Sequence, residues 1–364
     1  MAETASQGPA GVIGGFDCHS TLHVAVALDL LGRRLGATEF PATAAGYQQA
    51  AAWLQGLGPV VAVGVESTGS YGAALARHLS AQGLRVIEIN QPHRHTRARR
   101  GKSDAIDAEA AARKVLSGEA TGDAKDTLGI VAVIRQLSVA RDGAVKARAA
   151  ALCQLRDLLI TAPAAVREQL ARRRSLEGKA AVCARFRLTQ ENAANPAVAA
   201  KQALRSVARR IAHLTAEAAE PEAQLDDLVE QAAPQTREKL GLGTQNTAAL
   251  LIAAGQNIQR LRSEAAFAHL CAAAPIPASS GKTIRHRLNP NGNRQANRAL
   301  HMAVVVRLRY CARTRAYLQR RMEQGKTKRE AIRCLKRYVA REVYRTLRAD
   351  LGIKPSPQVP ANAP

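Results

Sequence analysis

Two carboxylates three residues apart, Asp104 and Asp107, follow directly on a basic run that holds Arg97, Arg99, Arg100 and Lys102. The Ala-rich continuation to Leu116 favours helix. Residues at i and i+3 share a helix face, so both carboxylates can aim at one point. Two negative charges at one point repel unless a cation or a proton lies between them, and neighbouring guanidinium groups suit phosphate oxygens. The stretch therefore reads as half of a magnesium site that handles nucleic acid. It also admits a purely structural reading. Ser103 or Asp104 would then be the helix N-cap and Asp107 a first-turn acid, both satisfying free amides and the helix dipole.

The elements upstream supply two more acids. Val12-Ile-Gly-Gly-Phe-Asp17 reads as a short buried strand ending in an acid, followed by strands at Leu22–Leu28 and Leu35–Phe40 whose spacing suits an antiparallel meander. A helical stretch from Ala44 to Leu57 precedes Val60-Val-Ala-Val-Gly-Val65, a β-branched run of the kind found in central strands, and Glu66 ends it. A turn at Ser67–Gly72, a helix to about Gln82 and a strand at Leu84–Ile89 lead back to the Asp104 helix. Three strands, helix, strand, helix, strand, helix is the ribonuclease H-like order. Sites in such sheets gather at the carboxyl ends of strands, where Asp17 and Glu66 fall. Four oxygen ligands suit Mg²⁺, and two such ions ~3.5–4 Å apart can clamp both sides of a phosphoryl displacement. His19 and His23 fall on the turn and the second strand and read as surface histidines. His93 and His95 belong to the basic loop. Ser67, Thr68 and Ser70 are either turn and cap residues or substrate contacts.

Composition points to the same class of partner. The 364 residues carry 53 Lys and Arg against 29 Asp and Glu, a formal net charge of +24, which is too one-sided for a neutral metabolic enzyme and fits a polyanion. No apolar run approaches the ~20 residues of a membrane-spanning helix, and the first residues lack the features of a signal peptide. The six cysteines form no C-x-x-C pair, so a zinc ribbon is not expected, and reduced thiols in a cytosolic protein are the default. No P-loop occurs, which argues against an ATP-driven motor.

After Gly122 the pattern is helical, with Pro163 expected to end or bend the first long helix. Leu204, Val207, Ile211, Leu214, Ala218, Leu225 and Leu228 follow a heptad pattern, with Pro221 at a core position. It suits either an intramolecular helical hairpin or a coiled coil between protomers. Arg172–Arg174, Arg185 and Arg187 are either a nucleic-acid contact or a solvated face. Leu240-Gly-Leu-Gly-Thr244 resembles the turn of a helix-hairpin-helix, whose backbone amides meet phosphate; a plain capped helix start is the other reading. Further on, a Ser279-Ser280-Gly281 tip lies beyond two prolines, Pro275 and Pro277, with Lys282, Arg285 and Arg287 just after it. A serine there is ringed by phosphate-binding cations, though it needs a base, cations or a metal to become a nucleophile. From His301 to Arg348 there are 15 Lys and Arg against 3 Glu. A Pro-rich tail closes the chain.

Gly15-Phe-Asp-Cys-His-Ser20, Gly64-Val-Glu-Ser-Thr-Gly-Ser-Tyr71 and Lys102-Ser-Asp-Ala-Ile-Asp-Ala108 resemble the DEDD motifs of the IS110 family of insertion-sequence transposases. The Pro-rich Ser-Ser-Gly block and Gly292-Asn-Arg-Gln-Ala-Asn-Arg298 resemble the C-terminal domain of the same family, apart from Thr244, where the family usually has proline. The resemblance implies a RuvC-like metal-binding domain (11–120) with Asp17, Glu66, Asp104 and Asp107 as ligands. It further implies a helical coiled-coil linker (121–235) and a mainly helical serine transposase domain (236–350); the Pro-rich composition beyond them implies a disordered tail (351–364). It places the catalytic serine at Ser280, with Ser279 as the alternative. DNA contacts would come from Arg97, Arg99, Arg100, Lys102, Lys282, Arg285, Arg287, Arg294 and Arg298. The implied function is a Mg²⁺-dependent DNA recombinase of a mobile element, guided by a structured RNA. It would work as a homo-oligomer in the bacterial cytoplasm at the nucleoid. A RuvC-like structure-selective endonuclease and a degenerate, binding-only remnant are the alternatives.

Overall fold

The computed structural model describes residues 11–89, 103–120, 122–188, 195–283 and 285–352. The chain forms two compact units, each discontinuous in sequence. The first comprises Met1–Gly129, Ala253–Arg294 and Arg337–Pro364; the second comprises Ile130–Ile252 and Gln295–Lys336.

A five-stranded sheet organises the first unit: β1 (Val12–Cys18), β2 (Leu22–Asp29), β3 (Arg34–Pro41), β4 (Val60–Glu66) and β5 (Val86–Ile89). Its order is β3-β2-β1-β4-β5. The first three strands form the expected antiparallel meander, and β4 runs parallel to both β1 and β5. Helices α1 (Ala44–Gly56) and α2 (Ala73–Ala81) cover one face through Phe16, Ala25, Leu54, Val65 and Leu79. Helix α3 (Asp104–Leu116) covers the other through Val24, Val26, Ala62, Ile87 and Ala111. With both faces covered, the inner strands read as near-continuous apolar runs.

That burial overturns one sequence expectation. His23 is no surface histidine but 0% exposed, because it sits on the α1–α2 face of an inner strand. It stacks on Tyr47 with ring centroids 5.6 Å apart, and burial pushes its pKa down, so that it is held neutral.

Residues 122–126 extend the β5 edge, with Glu88 N donating to Gly122 O and Ala124 N to Val86 O, each at 2.9 Å. The C-terminal portion of this unit docks there. Asn257 donates from Nδ2 to Ala124 O and accepts at Oδ1 from Asp126 N. Arg260 Nη1 meets Glu88 Oε2 at 3.1 Å.

The second unit is helical. Its long members are α4 (Gly129–Thr161), which stops just before Pro163 as expected, and α7 (Pro196–Ala232); the short α5 (Ala164–Gln169) and α6 (Leu176–Cys183) lie between them in sequence. Leu204, Val207 and Ile211 of the heptad stripe pack, with Ala208, against Ala151, Leu155, Leu170 and Cys183. This half of the stripe is covered within the chain, as the hairpin reading requires. Pro221 lies inside α7 without ending it. Past α8 (Pro234–Arg237), Gly241 (φ 86°) turns the chain into α9 (Thr244–Ala254). A Cβ on Gly241 would come within 2.8 Å of Ala303 Cα, a backbone approach only glycine permits.

Candidate active site

The acid site depends on how closely α3 lies on the sheet. A Cβ on Gly15 would sit 2.2 Å from Ala108 O, and one on Gly64 would sit 2.8 Å from Ala111 O. Glycines on the strands and Ala108, Ala111 and Ala112 on the helix thus bring the two backbones together, with all three alanines at most 1% exposed. Ser103 caps the helix, its hydroxyl accepting from Ile106 N. The cap reading therefore holds for Ser103, which leaves the Asp104 carboxylate to face Asp17.

Asp17, next to last in β1, is 8% exposed. Its Oδ2 lies 3.3 Å from His19 Nε2, and the same nitrogen lies 3.3 Å from Asp104 Oδ2. Oxygens of the two acids and the imidazole nitrogen all fall within 4.8 Å of one another. Burial raises the Asp17 pKa above its ordinary value of 3.8; His19 pulls it down, and the charges of Asp107 and Asp104 push it up again. Crowded carboxylates with a raised pKa are relieved by a cation, and oxygen donors suit a hard divalent one. His19 is thus no bystander but part of the cluster. Its distance in sequence from Asp104 gave no signal of this, and the only local hint was its place two residues after Asp17.

The other two acids are less tightly gathered. Asp107, 2% exposed, is close enough to Asp17 for their charges to repel. Glu66 follows Val65, which pairs with Phe16, so it lies one register step along, beside Asp17 on the neighbouring strand, and ~4.8 Å separates adjacent strands. Ser67 turns the chain beyond it with φ 57°, and Thr68, 1% exposed, donates its hydroxyl to Glu88 Oε1 at 2.9 Å. Thr68 is therefore an anchor of the Glu66 turn. Glu88 links it to Arg260, whose Nε donates to Ala254 O. Sequence reasoning missed both Glu88 and Arg260, which stand 172 residues apart.

The serine loop is a hairpin between β6 (Ile276–Pro277) and β7 (His286–Arg287). Ser280 and Thr283 exchange both backbone hydrogen bonds across Gly281-Lys282, with Gly281 at φ 55°, as in a two-residue turn with glycine first. Ser279 Oγ accepts from Arg285 N at 3.1 Å and donates to Arg285 O at 3.3 Å. Ser280 is exposed, and its hydroxyl has no hydrogen-bond partner among the described residues. Lys282, Arg285 and Arg287 are exposed beside it. Asn289 pins the base, donating to His269 O and accepting from Asn291 N. Arg294 and Arg298 lie one turn apart, both exposed, at the start of α11 (Arg294–Tyr310). Among the described residues no hydrogen bond or ion pair joins Ser279, Ser280, Lys282, Arg285 or Arg287 to the four acids. Arg97, Arg99, Arg100 and Lys102, with His93 and His95, lie outside the described residues.

The IS110 DEDD transposase family model matches residues 14–162, and the model of the transposase IS116/IS110/IS902 family matches residues 237–319. The chain belongs to the IS110 family of transposases. A search of curated proteins found no match. The first matched region holds all four acids and His19, and the second holds the Ser279–Ser280 hairpin. A transposase of this family is a DNA-cleaving and DNA-joining enzyme of a mobile element, so its substrate is DNA. The Asp17–His19–Asp104 cluster is compatible with a divalent metal, and no described helix is long and apolar enough to cross a membrane.

Proposed function

We propose that the transposase cuts and rejoins DNA through Ser280, assisted by Mg²⁺ held at Asp17, Glu66, Asp104 and Asp107. The observation that carries the choice of serine is the contrast within the hairpin: Ser279 staples its hydroxyl to Arg285, while Ser280 stands at the tip without a partner among the described residues. Ser280 Oγ gives up its proton and attacks a backbone phosphorus; the P–O bond of the strand breaks, and the departing sugar oxygen takes up a proton in its place. The product is a phosphoserine ester, which conserves the bond energy for attack by another strand's hydroxyl. Lys282, Arg285 and Arg287 hold the phosphate oxygens, and Arg294 and Arg298 extend that grip along the strand. Bound Mg²⁺ supplies charge neutralisation at the phosphoryl oxygens. His19 sets the spacing of Asp17 and Asp104 from the protein side.

Three coarser features support the remaining parts of this reading. The β3-β2-β1-β4-β5 order supports a RuvC-like domain at 11–120; the long helices α4 and α7 support a helical linker at 121–235, and the second family match supports the serine domain at 236–350, with the Gly241–Thr244 turn as its helix-hairpin-helix-like phosphate grip. Family membership supports a homo-oligomer, in which one protomer's serine would meet its partner's acids. A net charge of +24 supports a structured guide RNA bound together with DNA.

The test is Ser280→Ala on a DNA element end, read as covalent protein–DNA adduct on a denaturing gel. Adduct should fall by at least about 10³-fold, as when a nucleophilic serine is removed elsewhere, with DNA binding kept. Ser279→Ala should still form adduct. Wild-type adduct in both variants sinks the serine assignment.

A further inference from the structure

Away from the acids and the hairpin, the helical unit contains a cleft of about 670 Å³ lined by Arg173, Arg185, Phe186, Arg187 and Lys201 among others. Local structure explains how the cations gather. Ser175 caps α6 by accepting from Gly178 N, which leaves Arg172, Arg173 and Arg174 exposed just before the helix. At the far end Cys183 is buried, and the chain turns back with Arg185 N donating to Val182 O and Phe186 N to Cys183 O. Arg185 and Arg187 thereby point outward, while Phe186 is half-buried against the α4–α7 core. Lys201 of α7 places Nζ 5.9 Å from the centre of the Phe186 ring.

Among the described residues, the four lining cations Arg173, Arg185, Arg187 and Lys201 have no ion-pair partner. In the same unit Arg141, Arg156 and Arg237 are each matched by an acid. Uncompensated like charges in a concavity repel and raise the local concentration of an anion. The volume lies within the ~300–1,000 Å³ of pockets that enclose a small ligand, which is the scale of a nucleotide or two and not of a duplex face. An aromatic ring set among cations is the arrangement that stacks an unpaired base and tracks its backbone.

We propose that this cleft binds a single-stranded segment of nucleic acid, with one unstacked base against Phe186 and its flanking phosphates on Arg173, Arg185 and Arg187. Lys201 leaves the ring face for a phosphate as the base arrives. The strand is either DNA opened near an element end or RNA, both offering the same phosphodiester and base. The assignment goes beyond the catalytic reading, since no residue of the cleft belongs to the acids or the hairpin, and binding is read without strand transfer.

Full-length protein is titrated by fluorescence anisotropy against oligo-dT, oligo-U and a duplex, each of about 12 residues per strand, within the site sizes usual for single-strand binding. Phe186→Leu should weaken single-strand binding by about fivefold or more and leave the duplex unchanged. The double variant Arg185→Gln, Arg187→Gln should lower the slope of log K against log salt by ~0.7 for each phosphate that the cleft no longer neutralises. A weakening with oligo-dT alone assigns DNA, one with oligo-U alone assigns RNA, and one with both supports the shared chemistry. Because Phe186 also packs in the core, the exposed arginine pair decides the matter if Phe186→Leu fails to fold. Single-strand affinity and salt slope unchanged in the arginine variant, or an equal weakening on the duplex, overturns the proposal.

Discussion

The four acids and the serine hairpin belong to one compact unit but are held in opposite ways. Asp17 lies near the end of a strand that is buried at every position, under a helix pressed onto two glycines. The hairpin has two-residue strands, and its described residues from Pro277 to Leu288 are all exposed. The difference fits the roles proposed above for each. Carboxylates crowded around a cation must be pre-positioned, because their repulsion would otherwise move them apart, and a packed scaffold supplies that rigidity. A serine proposed to attack a DNA phosphate would have to reach out from the surface, on a loop that tolerates local opening. Asn289 and Ser279 keep the hairpin's shape without burying its tip.

The comparison can be tested by perturbing both sides alike. Gly15→Ala should have the largest effect, costing more than about 3 kcal/mol, beyond the usual range for overpacking, because backbone atoms obstruct the new methyl and cannot rotate away. Metal binding should be lost with it; a Tm within a few degrees of wild type would show that α3 is not seated as described. Arg260→Ala comes next, at about 3 kcal/mol, since it leaves the half-buried Glu88 charge without its ion-pair partner. Urea unfolding of Arg260→Ala and of the double variant with Glu88→Gln separates the two terms, and the double variant should recover part of the loss. Gly281→Ala should cost only about 1–2 kcal/mol, the price of a left-handed residue, as nothing lies within 4 Å of the added methyl.

The smallest effect concerns pH. The Asp17 pKa is raised in the folded protein, so Asp17 favours folding most when protonated, below its unfolded value near 3.8, and that contribution is lost as pH rises through the folded pKa. In metal-free protein, Asp17→Asn should therefore raise Tm at neutral pH, and the gain should vanish towards pH 3.8. An equal Tm difference at both pH values would exclude charge crowding as the cause. Adding a divalent metal should reverse the order at neutral pH, stabilising wild type above the variant.

Much of the acid site was legible in the chain. Alternating and continuous apolar runs located the strands, an acid closed two of them, and Ser103 with two acids three residues apart marked a capped helix. Those are local signals, carried by neighbours in sequence. The surface reading of His19 holds, but its place in the acid cluster, the anchoring role of Thr68, and Glu88 and Arg260 altogether left no local mark, because their meaning lies in partners far along the chain. His23 was misplaced for a related reason. Its strand is covered on both faces, and a polar residue there leaves no mark of burial until the helices above it are known. Between Ser279 and Ser280, adjacent and chemically identical, only the hairpin's hydrogen bonds draw a distinction.

The sequence by itself determined the order of the elements, the acids at the strand and helix ends, the basic charge and the family. Tertiary structure alone decided which groups share a point in space: that His19 sits between Asp17 and Asp104, that Arg260 closes on Glu88 beneath the Glu66 turn, and that Arg173, Arg185, Arg187 and Lys201 line one cleft with Phe186. Propensity and periodicity act over a few residues, whereas ion pairs and burial depend on which distant surfaces the folded chain brings into contact.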